Sequence, residues 1–287
     1  MPYETLLITP ADSHGITTIT LNRPDRLNAF NRRMGDELPQ AFDELSKDPK
    51  TRVIILRGEG RIFCAGADLQ GFGEAVKDEQ GRSVDEGGRV SLSIHSCRKP
   101  TIAALHGAAV GIGITMTLPC SIRIASTTTK IAFPFLRRGI IQEATSTYWL
   151  PRHLGLSRAM RLVTTGETVL AGDRKLEGLF ELVDGGREEV WKRAREVAEV
   201  VATECAPRAQ EISRRLLEGG VGSPEEAHWL ESRLLGRLRV GVDAAEGGRA
   251  FLEKRKPKFE VPKEGDDWLK EVWEEKRKEE EVGRSKL

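Results

Sequence analysis

The sequence predicts an α/β fold in its first half and a mainly helical second half. Four short runs rich in β-branched and aliphatic residues lie in the first 130 residues, and stretches with apolar residues at helical spacing separate several of them. Strands that alternate with helices in this way pair in parallel through right-handed crossovers. Beyond residue 140 the strand patterns nearly cease, and one helical pattern follows another.

The elements of the first half are predicted from local signals. Residues 16–21 (ITTITL) alternate β-branched side chains, and residues 22–25 (NRPD) end this strand as a turn. A helix is predicted from residue 30 by the spacing of its apolar residues up to residue 45, and Pro39 is expected to kink or shorten it. The remaining predictions are strands at 52–56, 101–105 and 120–125, a helix within 84–97 and a helix after Gly111.

The second half divides into helices and a charged end. Helices are predicted at 146–154, 157–163, 188–203, 208–217 and 244–254. The predicted domains are a core over 1–200, a helical region over 201–260 and a charged tail over 261–287.

Composition narrows the class of function. The chain has 287 residues, of which 39% are hydrophobic and 31% charged, as is usual for a globular protein. A net charge of +1 provides no broad positive field for nucleic acid or an anionic membrane, so neither is expected as a partner. No apolar run has the length of a membrane span, and the N-terminal residues lack the pattern of a secretion signal.

Cysteines and histidines give no sign of a metal site. The four cysteines (Cys64, Cys97, Cys120 and Cys205) are far apart and have mostly apolar or strand-like neighbours, which predicts buried free thiols in a reducing compartment. The five histidines lack the spacing of metal ligands, so no bound metal is expected.

The sequence ends in Ser285-Lys286-Leu287 after a charged stretch. A terminal S-K-L tripeptide is a peroxisomal address that an import receptor reads. We therefore expect a peroxisomal location and binding to that receptor, in preference to a chance tripeptide.

Two glycine-containing turns are the most informative local features. Residues 64–69 (CAGADL) and 107–115 (GAAVGIGIT) each follow a strand pattern and contain small residues ahead of a predicted helix. Such turns leave backbone N–H groups without partners at the start of a helix, and two of them directed at one point can hold a developing oxyanion.

Simpler interpretations of these turns exist. The first could be only a tight turn in which Asp68 caps a helix, and the glycines of the second could serve close packing. His106 is expected to make a local hydrogen bond. The second turn lacks the lysine of a phosphate-binding loop and the order G-x-G-x-x-G, which argues against nucleotide binding.

Together the two turns resemble the crotonase superfamily of acyl-CoA enzymes. Further matching stretches are 21–24 with 27–29, 99–104, 139–155, 162–166 and 251–257, so the resemblance covers most of residues 5–260. It implies a spiral of strand–strand–helix turns with a helical C-terminal region, assembled as trimers or as hexamers of paired trimers.

The resemblance also implies the composition of the site. The backbone N–H groups of Ala67 and Ile112 would hold the thioester oxygen of an acyl-CoA substrate. Coenzyme A is part of that substrate, so no separate cofactor is expected. The implied substrate and CoA contacts are Leu27, Ala29, Ala65, Gly66, Asp68, Leu69, Gly111 and Phe135.

Departures from the family pattern point to one reaction. The two positions at which hydratases of this family carry glutamates are Thr115 and Phe135. Glu143, together with the preceding Phe133-Pro134-Phe135, resembles the Δ3,Δ2-enoyl-CoA isomerase branch, in which one glutamate is both acid and base. The resemblance therefore predicts a peroxisomal isomerase of fatty-acid β-oxidation, with a Glu143 pKa that apolar neighbours would raise.

Three alternatives stay open at this point. The chain could be an enoyl-CoA hydratase of peroxisomal fatty-acid metabolism or of secondary metabolism. It could also be a catalytically silent homologue that binds acyl-CoA. Finally, Glu143 could be an ordinary acid at the surface or at the start of a helix.

Overall fold

The computed structural model describes residues 3–68, 76–77, 80–219, 221–260, 268 and 270–275. Leu69, Ser285-Lys286-Leu287 and most of the predicted 261–287 tail lie outside these residues. Backbone contacts divide the chain into two units, Met1–Glu199 and Val200–Leu287.

The strands of the described residues all belong to the first unit. They are Leu6–Thr9 (β1), Ile16–Leu21 (β2), Val53–Gly58 (β3), Val76–Lys77 (β4), Ser83–Val84 (β5), Thr101–Leu105 (β6), Ala108–Val110 (β7), Ile122–Ser126 (β8), Lys130–Ala132 (β9), Thr168–Leu170 (β10) and Glu181–Val183 (β11). The predicted strands correspond to β2, β3, β6 and β8, within two residues at each end.

Two of the three sheets in the described residues organise this unit, and the third is only the pair β4-β5. The larger has the order β1-β2-β3-β6-β8-β11, in which only β1 pairs antiparallel, while β2, β3, β6, β8 and β11 are parallel, as the crossovers predicted. The smaller has the order β10-β9-β7, with β7 and β9 parallel. Every residue of β2 and β6 is buried, which places the larger sheet at the centre of the core.

The α-helices whose bounds the described residues define are Arg32–Lys47 (α1), Glu86–Ser96 (α2), Ile112–Thr115 (α3), Ser146–Leu154 (α4), Leu156–Thr165 (α5), Arg187–Glu204 (α6), Pro207–Gly219 (α7), Pro224–Arg239 (α8) and Val242–Leu252 (α9). The sequence predicted every one except α8. The helix predicted after Gly111 has only four residues.

The expectation that Pro39 shortens the helix was wrong, because α1 runs through this residue without interruption. Asn31 starts the helix by accepting a hydrogen bond from the N–H of Met34 at 3.0 Å. Met34, Leu38 and Phe42 are completely buried on one face of the helix. Packing of this face compensates for the hydrogen bond that the proline cannot make.

The second unit has an apolar core of its own. Ile212 of α7, Leu230 and Leu234 of α8, and Val272 are buried together. None of the helices in the described parts of either unit is long and apolar enough to cross a membrane.

Candidate functional site

The two glycine turns lie side by side. Cys64 forms a parallel bridge with Ala109, and its N–H donates to the carbonyl oxygen of Ala108 at 3.1 Å. A Cβ on Gly111 would lie 4.0 Å from the Cα of Gly66. Gly66 and Gly111 have φ angles of +103° and +54°, which L side chains rarely adopt. Glycine therefore permits both the turn and the close approach at these two positions.

Two backbone donors face no acceptor at this junction. In the first turn, the Phe30 N–H donates a hydrogen bond to the Gly66 oxygen, and the Asp68 N–H donates one to the Phe30 oxygen. These hydrogen bonds involve the residues on either side of Ala67 but not the N–H of Ala67 itself. Ile112 is the first residue of α3, where an N–H has no helical partner. Among the described residues, neither the Ala67 N–H nor the Ile112 N–H has a hydrogen-bond acceptor. Both can therefore donate to a bound oxyanion.

The turn after β2 contacts the first glycine turn. Ala65 N–H donates to the carbonyl oxygen of Leu27 at 3.0 Å. Leu27 and Asn28 both have positive φ angles, 53° and 52°, and the buried Asn28 side chain holds this conformation by donating to the carbonyl oxygens of Glu59 and Ile62. Leu27 and Ala65 are therefore neighbours. The resemblance implies that both contact the same CoA, and two such residues must lie close together.

Arg23 joins the same two segments by its side chain. Its guanidinium forms an ion pair with Asp68 at 3.0 Å and donates to the carbonyl oxygen of Ala29. Asp68 was also considered as a helix cap, but the residues that follow it lie outside the described range. The sequence analysis did not identify Arg23 as part of this arrangement.

Glu143 lies against the other side of the second turn. Its Oε1 accepts a hydrogen bond of 2.5 Å from the hydroxyl of Thr115, which is completely buried. Its Oε2 lies 1.9 Å from the point where a Cβ on Gly87 would stand, and Ile112 Cδ1 lies 2.7 Å from the same point. The carboxyl group therefore occupies space that only a glycine at position 87 leaves open.

Burial raises the pKa of Glu143 to about 8, and the negative charge of Asp85 adds to this effect. The hydrogen bond from Thr115 acts in the opposite direction, because it stabilises the ionised form. The interpretation of Glu143 as an ordinary surface acid does not fit this environment. A carboxyl group with such a pKa can both take and return a proton near neutral pH.

Ile112 supplies an apolar neighbour of the Glu143 carboxyl group, whereas the Phe135 side chain lies against Gly111. Both side chains are at least nine-tenths buried, and the Phe135 ring lies 3.9 Å from where a Cβ on Gly111 would stand. Cys64 is also completely buried. Burial raises its thiol pKa to about 12, which makes it a poor nucleophile.

The remaining predictions on histidines and cysteines have mixed outcomes. His106 Nε2 lies 3.0 Å from the carbonyl oxygen of Gly60, which confirms its local role. All four cysteines are free, but Cys205 is only partly buried, against the prediction. The described residues contain no cluster of three or more histidine, cysteine, aspartate or glutamate side chains that could hold a metal.

Helix α2 contributes residues that the sequence analysis missed. Asp85 directly precedes this helix, and Gly87 and the buried Ser91 lie within it. All three contact residues 143–145, which we call the Glu143 turn. An aspartate followed by a helical pattern is a helix-start signal, so the position of Asp85 was detectable. Its contact with the Glu143 turn was not.

Comparisons with known proteins point to one family. The sequence model of a family described as enoyl-CoA hydratase/isomerase matches residues 11–262. The enoyl-CoA hydratase ACTT3 of Alternaria alternata is 42% identical over 90% of this chain and 87% of its own. A probable enoyl-CoA hydratase of Bacillus subtilis is 35% identical over 85% of this chain and 95% of its own.

Solved structures give the same result for the fold. A probable enoyl-CoA hydratase/isomerase from Mycobacterium abscessus superposes with a TM-score of 0.81 at 30% identity, covering 90% of this chain and 100% of that one. A protein described as a hydratase from Streptomyces coelicolor gives a TM-score of 0.79 at 33% identity, covering 91% and 96%.

Proposed function

Because the chain belongs to the enoyl-CoA hydratase/isomerase family, we propose that it moves the double bond of a 3-enoyl-CoA to C2 by proton transfer through Glu143. The fold is the predicted crotonase-like α/β fold with a helical C-terminal region. The observation that carries the proposal is one partly buried carboxyl group with a raised pKa, hydrogen-bonded to the helix whose first N–H is one of two unpartnered backbone donors.

The reaction needs one acid–base group and one oxyanion site. The Glu143 carboxylate removes a proton from C2, and the electron pair moves towards the thioester oxygen to give a dienolate. The N–H groups of Ala67 and Ile112 donate to this oxygen as its charge develops. The protonated Glu143 then delivers the proton to C4, and the electrons return to form the C2–C3 double bond, so the proton and charge balance.

The pKa of Glu143 suits this exchange. A proton shuttle works best when its pKa lies close to the working pH. Only the ionised form can begin the reaction, so kcat/KM should rise with pH until about pH 8, where Glu143 ionises.

Hydration of a 2-enoyl-CoA is the second candidate, and the names of the relatives favour it. Two Alternaria alternata relatives, 42% and 43% identical, are both named enoyl-CoA hydratases. In this chain Thr115 and Phe135 offer no carboxylate to bind the water, so Glu143 alone would have to activate it. The geometry therefore supports isomerisation better, whereas the comparisons support hydration better.

We expect the purified protein to convert a 3-enoyl-CoA into the conjugated 2-enoyl-CoA faster than it hydrates a 2-enoyl-CoA. With deuterium at C2 of the 3-enoyl-CoA, part of the label should appear at C4, because the same carboxyl group takes the proton from C2 and delivers it to C4. Mass spectrometry of the product measures this transfer. Rapid hydration without isomerisation would instead establish the hydratase, and turnover of neither substrate would indicate a silent acyl-CoA-binding protein.

Thr115→Val provides a test of the Glu143 environment. Loss of the hydroxyl removes the hydrogen bond that favours the ionised carboxylate, so the pKa of Glu143 should rise further. The acidic limb of the pH profile, over which kcat/KM rises as Glu143 ionises, should therefore move to higher pH by about one unit. At neutral pH we expect kcat/KM to fall about tenfold.

Thr117→Val is the matched control for this substitution. Thr117 is equally buried, but its hydroxyl donates to the carbonyl oxygen of Ile114 at 2.8 Å. This variant should leave the pH profile in place. An unmoved profile in Thr115→Val would mean that Glu143 is not the group whose ionisation controls the rate.

A further inference from the structure

The segment that carries Glu143 has an unusual backbone. Ala144 and Thr145 follow it directly, and both have left-handed φ angles, 53° and 54°. Residues other than glycine adopt this conformation only at an energetic cost, so the surrounding structure must hold it. The contacts that hold it therefore determine where the Glu143 carboxyl group lies.

Asp85 provides the central contact. Its Oδ2 accepts a hydrogen bond of 2.7 Å from the N–H of Ala144, while its Oδ1 accepts one of 2.9 Å from the N–H of Gly87. One carboxylate thus connects the first turn of α2 to the residue after Glu143. Bonds to an ionised acceptor are stronger than neutral ones, and two of them fix the orientation of the carboxylate.

The other contacts of this turn carry no charge. The Ser91 and Thr145 hydroxyl oxygens lie 2.5 Å apart, and the N–H of Ser146 donates to the carbonyl oxygen of Glu143 at 3.0 Å. Asp85 is therefore the charged member of the set that holds the turn.

The charge on Asp85 also acts on Glu143. Oδ1 of Asp85 and Oε2 of Glu143 lie 3.2 and 1.9 Å from the same point beside Gly87, so the two carboxyl groups are close neighbours. Among the titratable groups in the described part of the chain, the Cys64 thiol of the first turn also interacts with Glu143. Around Asp85, α2 also carries Glu86 and Arg89, and Arg89 pairs with Asp36 of α1 at 3.1 Å.

We propose that Asp85 is a positioning residue that holds Glu143 in its reactive place through the N–H of Ala144 and sets a second negative charge beside it. This inference rests on the proposed role of Glu143 in proton transfer. It assigns to the start of α2 a part in the reaction beyond capping a helix.

The test compares Asp85→Asn, Asp85→Glu and Asp173→Asn with the unchanged protein. Asp85→Asn keeps the size of the side chain but loses the charge and one acceptor. We expect kcat to fall about tenfold with little change in KM, because a displaced catalytic group slows the reaction more than it weakens binding. The acidic limb of kcat/KM should move down by about half a pH unit, because a neighbouring negative charge no longer raises the pKa of Glu143.

Two comparisons separate positioning from capping alone. Asp85→Glu retains the charge and should keep the pH limb in place while restoring part of kcat. Asp173 caps the short helix Arg174–Leu176 through the N–H of Lys175, so Asp173→Asn reports the loss of a carboxylate cap elsewhere. It should lower stability without altering the pH limb. The proposal would be overturned if Asp85→Asn changed neither kcat nor the acidic limb. It would also be overturned if this variant lowered kcat but left the acidic limb in place.

A second measurement does not depend on turnover. The free energy of unfolding is measured against pH for the unchanged protein and Asp85→Asn, each with and without Glu143→Gln. The change in unfolding free energy caused by Glu143→Gln depends on pH through the pKa of Glu143 and so reports this pKa directly. In the Asp85→Asn background the pKa found in this way should be lower by the same half unit. If the protein turned over no enoyl-CoA, the proposed function would fail, and this shift would still decide the influence of Asp85.

Discussion

Glu143→Gln is expected to reduce turnover of every enoyl-CoA substrate by about a thousandfold or more. Glutamine has the size of glutamate, and Thr115 can still donate to its amide oxygen, but it cannot take up a proton. KM should change little, because the N–H groups of Ala67 and Ile112 are unaltered. Steady-state assays with a 3-enoyl-CoA and a 2-enoyl-CoA measure the effect on both candidate reactions.

The same substitution should make the protein more stable at alkaline pH. The pKa of Glu143 is about 8 in the folded protein and near 4.5 in an exposed side chain. Between these values the folded protein holds a proton that the unfolded chain has released, so raising the pH favours unfolding. The stability that this proton provides is complete below about pH 4.5 and is lost as the pH rises through about 8.

The Glu143→Gln protein should not lose this stability as the pH rises, because glutamine does not ionise. The difference in unfolding free energy between Glu143→Gln and the unchanged protein should grow with pH to a few kcal/mol by about pH 9. Denaturant unfolding at several pH values measures it. Glu167→Gln is the control, because Arg161 lowers the pKa of this partly exposed carboxyl, and its effect should be flat from about pH 6 to about pH 9. A flat difference for Glu143→Gln as well would show that its pKa is not raised.

The sequence predicted the central strands because burial left a continuous signal in them. Strands β2 and β6 each have five or six consecutive buried residues, and these include runs of β-branched side chains. The strands β7, β9 and β10 have only three residues each, too few to show a period of two. Their pairing with one another, which the local sequence does not encode, makes them strands.

The candidate site could be predicted where its residues lie close together in the sequence. The glycines of the two turns and the acid at position 143 lie in short stretches that resemble a known family. The contact of Asp85 with Ala144 joins residues 59 positions apart, and that of Ser91 with Thr145 joins residues 54 apart. No local pattern contains such contacts. The isomerase branch, inferred from single positions, is not confirmed by relatives that are named hydratases.

Gly87→Ala is expected to reduce kcat by about a hundredfold, although it adds a single methyl group. That carbon would lie 1.9 Å from Glu143 Oε2 and 2.7 Å from Ile112 Cδ1, both far closer than a van der Waals contact. The flexible end of Glu143 must therefore leave its place between α2 and Thr115. Once moved towards water, its carboxyl would have a lower pKa, so the acidic limb of the pH profile should move down as kcat falls.

Gly236→Ala is the matched control, since Gly236 lies inside α8 and an added Cβ there meets no atom within 4 Å. Alanine is the better helix former, so this variant should gain about 1 kcal/mol of stability and keep its activity. Gly87→Ala gains the same helix preference, so a loss of kcat must come from the collision of the added carbon with Glu143 and Ile112. The downward shift of the acidic limb then identifies Glu143 as the displaced group. If Gly87→Ala retained the kcat and pH profile of the unchanged protein, the reactive position of Glu143 could not be the one beside Gly87.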